Sequence, residues 1–270
     1  MRTLGNFVDL LDEGGDKAAS ELLLRERAER AERRAADIRS AEGGNTDEEG
    51  DEAEAEVGTA EVVSGEVAEE EEGAEDGDDT PRGSAEYRAA LAASSKSRSR
   101  LAGVLLSHGK TFEAEAEYVK ALDQADAAHG VKNAEAAAVA GALAHCYRKQ
   151  GKLAQAEPLL ERLLECTCSA LGEEHLQTAA VANSLATLHR EQCKYSVAEP
   201  LHARAVTAAK AAAGDVHPMV ADLLVSQALT LKALGRTKVA KRCVDEASKI
   251  RQATQQMQQA QRMRAKLAAK

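Results

Sequence analysis

At 270 residues the chain can hold one or two domains, and its formal charge of −10 is concentrated: residues 42–80 hold 18 Asp and Glu and no Lys or Arg, leaving about +8 on the rest. Aromatic residues make up 2% and Trp is absent, so any core is built from Ala, Leu and Val, which suits close helix stacking and argues against a deep aromatic ligand pocket. No apolar run approaches the ~20 residues that cross a bilayer, and the acids Asp9, Asp12 and Glu13 near the start speak against a signal peptide or a mitochondrial presequence, so a cytoplasmic location is expected.

Residues 1–41 read as a charged helical segment. Over 16–39, Glu21–Arg25, Glu26–Arg30 and Glu29–Arg33 place acid before base four residues apart, each pair contributing ~0.2–0.5 kcal/mol to a helix. Leu24, Ala28, Ala31, Ala35 and Ile38 follow a heptad-like 4-3-4-3 spacing. That pattern fits a short coiled coil or a single solvated helix. Ala at the seam favours the second, because isolated helices are marginal and Ala buries little area. Residues 42–83 are expected to be a disordered acidic linker: Gly recurs at 43, 44, 50, 58, 65, 73 and 77, and too little apolar surface remains to offset the ordering entropy. It serves either as a spacer or as an interaction segment, the latter through Val57, Val62, Val63 and Val67.

Pro81 and Gly83 end the acidic stretch, and Ser84 is a fitting N-cap for a helix starting at Ala85. Residues 94–100, SSKSRSR, are basic and serine-rich. They read as a wet helix face, with phosphorylation or pairing to the acidic stretch as alternatives.

From there the chain repeats itself. Residues 140–176, AGALAHCYRKQGKLAQAEPLLERLLECTCSALGEEHL, return 42 positions later as ANSLATLHREQCKYSVAEPLHARAVTAAKAAAGDVHP. Further steps give Gly235-Arg236 with Ala240, and Gly109-Lys110 with Ala114. A fixed period of this length marks a helical array. Within one repeat, Leu143, Ala144 and Tyr147 precede Gly151-Lys152, and Leu153, Ala156, Leu160, Leu163 and Leu164 follow, so each repeat is two amphipathic helices broken by Gly. Ala102, Ala144, Ala186 and Ala228 on the first helices and Ala114, Ala156, Ala198 and Ala240 on the second fall where two axes must approach most closely. Such hairpins stack on their neighbours because none has enough core alone. The expected fold is all-α: a right-handed superhelix of about four helix–turn–helix hairpins over 84–255, with repeats near 92–133, 134–175, 176–217 and 218–255, and a basic helical extension over 256–270.

The motifs NSLATL (183–188), QGKL (150–153), Ala-Glu-Pro-Leu (156–159 and 198–201) and GDVHP (214–218) resemble tetratricopeptide repeats of the kinesin light chain type. The resemblance covers roughly 92–255. It implies a concave groove, lined by the first helices, that binds an extended peptide or a partner helix. It also brings to mind an acidic segment held against its own repeats, here residues 42–80, although the Leu-Phe-Pro sequence of that family is absent. Only about two heptads precede the repeats, so the motor-binding role of the family does not transfer.

Projected through the period, the groove face carries Arg148, Arg190 and Lys232 in one row, with His145 and Thr187 between and Asn183 one to two turns earlier, where Gly141 and Val225 stand in neighbouring repeats. The family uses Asn on the first helix to hold a peptide backbone, and Asn183 alone matches. A second basic row, Lys110, Lys152, Lys194 and Arg236, falls in the turns and reads as structural.

Neither a cofactor, a metal nor catalysis is expected. The five Cys do not converge: Cys166 and Cys168 point about 200° apart on one helix. The seven His are scattered, and His175 and His217 recur at the loop before the next repeat. No phosphate loop or nucleophile elbow is present. The chain therefore reads as a non-catalytic adaptor for a partner protein or an acidic peptide. The alternative is a structural, self-associating module whose basic tail (six Lys or Arg and no acid over 249–270) contacts an acidic surface such as nucleic acid or a microtubule. Nucleic acid is disfavoured for want of interleaved aromatics.

Overall fold

The computed structural model describes residues 17–43 and 83–268. Among them are nine helices and no strand: α1 (Lys17–Gly43), α2 (Ala85–Ser107), α3 (Thr111–His129), α4 (Ala134–Lys149), α5 (Leu153–Leu171), α6 (Leu176–Glu191), α7 (Tyr195–Ala213), α8 (Pro218–Ala233) and α9 (Thr237–Ala268). Helices α2 to α9 pair into four hairpins stacked as a right-handed superhelix. The second helix of each hairpin packs on the first helix of the next, and the first helices α2 and α4, and α6 and α8, also touch.

The turns explain the glycines. Gly109, Gly151 and Gly235 adopt φ of 80°, 76° and 76°, and Cys193 takes the same place at φ 62°. The reversal lets the next N–H reach back to the first helix, as Lys152 N does to Tyr147 O at 2.9 Å. The recurrent histidines are helix caps: His175 Nδ1 accepts from Gln177 N at 3.1 Å and His217 Nδ1 from Met219 N at 3.2 Å, where Asn133 accepts from Glu135 N at 2.8 Å one or two repeats earlier.

All eight register alanines are buried, most of them at 0–1% exposure. Around them, Leu101, Leu105, Leu143 and Cys146 form one cluster, Leu160, Leu185 and Leu188 a second, and Val206, Val220, Leu223 and Leu224 a third. The five cysteines are free thiols. Burial pushes the Cys146 thiol up, as expected of a small core residue.

Helix α1 is neither the coiled coil nor the solvated helix expected of residues 16–39. It lies antiparallel against α2: Glu21 meets His108 and Lys110 at one end, Glu32 meets Arg98 in the middle, and Ala35 packs with Ala90 and Leu91 at the other. Leu24, Ala28 and Ala35 are 1%, 1% and 3% exposed. The heptad-like seam thus faces the chain's own first hairpin. Of the three expected i,i+4 pairs, only Glu29–Arg33 forms (3.2 Å), since Glu21 and Arg25 turn to the hairpin instead.

The docking also overturns the wet-face reading of 94–100. Ser94, Ser95, Ser97 and Arg98 are buried. Ser95 Oγ donates to Ala121 O at 2.7 Å, and the Arg98 guanidinium sits between Glu32 of α1 and Glu117 of α3, the latter at 2.5 Å. Paired on both sides, the charge is tolerable inside. The acidic stretch 44–82 lies outside the described residues. The tail expected as a separate extension continues α9 without a break from 255 to 256.

Candidate functional site

The two basic rows have different neighbours. In the turn row, each cation reaches back to a Glu near the start of the preceding second helix. Lys152 Nζ donates to Glu115 at 2.7 Å, Lys194 Nζ to Glu157 at 3.0 Å, and Arg236 pairs with Glu199. Lys110 does the same with Glu21, at 2.6 Å. The hydrogen bond from Lys152 holds the Glu115 carboxyl below its ordinary value, and those from Gln192 and Lys194 do so for Glu157. For Glu21, burial pushes upward, but the bonds from Lys110 and His108 together bring the carboxyl down. This row is inter-repeat bracing.

Glu21 thereby takes the position of Glu115, Glu157 and Glu199. In the same register Ser20 stands where Ala114, Ala156 and Ala198 stand, and Leu24 where Tyr118, Leu160 and His202 stand; all of these are buried. Helix α1 therefore stands in the register of a second helix, on the N-terminal side of the first hairpin. Ser20-Glu21-Leu22-Leu23 was the sequence signal for it, matching Ala156-Glu157-Pro158-Leu159, but it lies far from the position one period before Glu115.

The groove row is less tied down. Arg148, Arg190 and Lys232 all lie in the last turn of their helices, where a cation also complements the helix dipole. Arg148 Nε approaches Glu191 no closer than 3.8 Å, and Lys232 is exposed. The Arg190 side chain is half-buried, and its Nε is buried with no acceptor. His145 is exposed beside Arg148, and partial burial with the charges of Arg148 and Lys149 keeps its imidazole more acidic than usual.

Asn183 and Thr187 do not join that row. His202 Nδ1 donates to Asn183 Oδ1 at 3.1 Å, and the Thr187 hydroxyl donates to Asn183 O at 2.8 Å. Both side chains are half-buried and serve their own hairpin. His202 is fully buried, and burial, with the charge of Arg190 second, lowers its pKa to about 4, so the ring is neutral. At Gly141, the position before Asn183 in register, an added Cβ would meet Leu163 Cδ2 at 2.5 Å. At this level the two helices of the hairpin pack closely.

His189 comes close to carboxylates the sequence kept apart: it shares a cluster with Glu157 and Glu161 whose ligand atoms lie within 4.8 Å. Glu157 already accepts from Gln192 at 2.7 Å and from Lys194. The cluster is accounted for by the bracing between repeats.

Three overlapping matches to the tetratricopeptide repeat profile, over 91–169, 135–211 and 177–253, together span more than half of the sequence. The chain belongs to the tetratricopeptide repeat family. No curated protein matches it. Among solved structures, BtubC (BKLC) from P. vanneervenii is similar at 20% identity with a TM-score of 0.66, over 92% of this chain and 78% of that one. A candidate kinesin light chain of Podosopora anserina, with nearly identical TPR-like repeats, is similar at 15% identity and a TM-score of 0.63, over 94% and 96%. At these identities the likeness shows the fold, a tetratricopeptide superhelix typical of protein-interaction adaptors. Among the described residues no helix is long and apolar enough to cross a membrane.

Proposed function

We propose that the chain is a non-catalytic, cytoplasmic adaptor whose array binds an acidic peptide or partner segment on the face bearing Arg148, Arg190 and Lys232. One observation carries this reading. The four turn cations are each held by a glutamate, whereas Arg190 keeps a buried Nε donor without an acceptor and Lys232 makes no ion pair among the described residues. The guanidinium of Arg190 and the ammonium of Lys232 are thus left with charge that a bound carboxylate could pair by charge-assisted hydrogen bonds. Asn183 is left out of the mechanism, since its amide is engaged by His202.

The chain's own residues 42–80 are a second source of the same carboxylates, and an intramolecular contact with them belongs to the proposal. Fluorescence anisotropy with an acidic peptide ending in a free carboxylate tests it. Affinity for the full chain should fall steeply between roughly 0.05 and 0.5 M salt and should drop on changing Arg148, Arg190 and Lys232 to Glu. Salt-independent binding, or an unaffected triple variant, would remove the row from the function.

A further inference from the structure

Between α1 and α2 an open cleft of about 740 Å³ runs along the surface. It exists because Leu24 and Ala28 are spent on the hairpin core, while on this side the walls are short: Ala31 with Leu23 on α1, Ala89 with Ala93 on α2. The rim is cationic. Arg27, Arg30 and Arg34 project along one stripe of α1, and Lys96 faces them from α2; all four are exposed and make no ion pair among the described residues. Arg25 and Arg33 of the same helix are paired, to Glu113 and Glu29. Arg100 lines the cleft as well, and the acids on its walls are Glu26 and Glu86.

Arg27 to Arg34 spans seven residues, roughly 10 Å or two helical turns. An apolar trough of that length between two helices, edged on one side by cations at helical spacing, has the form that accepts a third, amphipathic helix. Among the described residues the cleft has no aromatic side chain on which bases could stack. We propose that this cleft docks an acidic amphipathic helix of a partner protein. Its aliphatic side chains lie against Leu23, Ala31, Ala89 and Ala93, and its carboxylates lie along Arg27, Arg30, Arg34 and Lys96. The inference rests on the adaptor reading and adds to the first helices of the middle repeats a second docking place, between α1 and α2.

The probe is a labelled helical peptide of about 18 residues, with Leu at i, i+3 and i+7 and Glu elsewhere, titrated by anisotropy against the full chain. Changing Arg27, Arg34 and Lys96 together to Glu should weaken binding about tenfold or more, while the Arg148, Arg190 and Lys232 reversal leaves it within about twofold. Ala93→Leu, which fills the trough without altering charge or helix propensity, should also weaken binding several-fold. Equal affinity of wild type, the cleft reversal and Ala93→Leu would overturn the proposal, as would no binding by wild type. Loss of binding only in the Arg148, Arg190 and Lys232 variant would sink the cleft and leave the adaptor reading standing. Two results reassign the site. Equal binding of a single-stranded oligonucleotide would make it a general polyanion surface. Binding that appears only once the acids of residues 44–82 are changed to their amides would give the cleft to the chain's own segment.

Discussion

Leu24→Ala separates a docked α1 from a free or self-associating helix. Leu24 is 1% exposed and packs with Leu101, Ala102 and Leu105, so the truncation should cost about 3 kcal/mol. Among the ion pairs of α1, Arg25–Glu113 is half exposed on both partners, and such pairs contribute at most about 1 kcal/mol. An isolated helix of this kind is marginal in water, and a repeat array is stabilised by nearest-neighbour interfaces. The loss should therefore detach α1 without unfolding α4 to α8. Hydrogen exchange of the full chain reads this directly, as near-complete loss of protection over residues 20–41 with α6 and α7 unchanged. Leu22→Ala, on the same helix but 60% exposed, is the control and should leave protection intact. Unchanged exchange in Leu24→Ala would refute the docking. A halved mass by light scattering would show that the seam holds two chains together.

Cys193 carries a side chain at φ 62° where the other turns have Gly, and added Cβ atoms at Gly109, Gly151 and Gly235 meet nothing within 4 Å. Cys193→Gly should thus relieve backbone strain at the loss of only the exposed 3.5 Å bond from Tyr195 OH to Cys193 Sγ, and raise stability by about 1 kcal/mol, or roughly 2–4 °C in Tm; a lower Tm counts against it. His217→Ala removes the acceptor for Met219 N and should cost about 1 kcal/mol by chemical denaturation, whereas His217→Asn, copying Asn133, should cost little. The carboxyls of Glu115 and Glu157 are lower in the fold than their ordinary 4.5, so the stability they contribute is present above that value and is lost as pH falls through the folded value. Glu157→Gln should flatten the acid limb of a stability–pH curve, and an unchanged limb would show that Lys194 and Gln192 do not hold it.

The hairpins were legible because their marks are local and repeat at one spacing: a Gly that must turn at positive φ, and an Ala where axes meet. The place of α1 was hidden because residues 44–84 stand where the other repeats have a four-residue loop, so Glu21 lies outside the period. The buried serines and Arg98 followed from the same gap, since one of the two carboxylates that pair with the arginine, Glu32, comes from α1. The partner of Asn183 was hidden for another reason. Departures from the repeat are paired across the hairpin: Gly141 admits Leu163, whereas in the next repeat Asn183 stands with Ala205 and is bonded by His202 in place of Leu160. A projection that follows one helix at a time sees an unusual side chain but not the partner that absorbs it.

The long connection between α1 and α2 sets a cost that the other repeats do not carry. Loop-closure entropy grows as three-halves RT times the logarithm of length, so closing residues 44–84 as a plain chain costs about 2 kcal/mol more than closing residues 130–133. Burial of Leu24 offsets a similar amount, at ~1.5–3 kcal/mol for a fully buried leucine. The long closure thus removes about as much as Leu24 contributes, and the docking of α1 is the part most sensitive to connection length. Replacing residues 45–81 with about six Gly and Ser shortens the closure roughly fourfold and should stabilise α1 by about 1 kcal/mol. Exchange over residues 20–41 should then slow about fivefold, since 1.4 kcal/mol is a factor of ten. Faster exchange after the shortening would contradict a plain chain closure. It would mean that the acidic stretch itself holds α1 down, and Arg27, Arg30 and Arg34, unpaired along its exposed stripe, are where such a contact would have to fall.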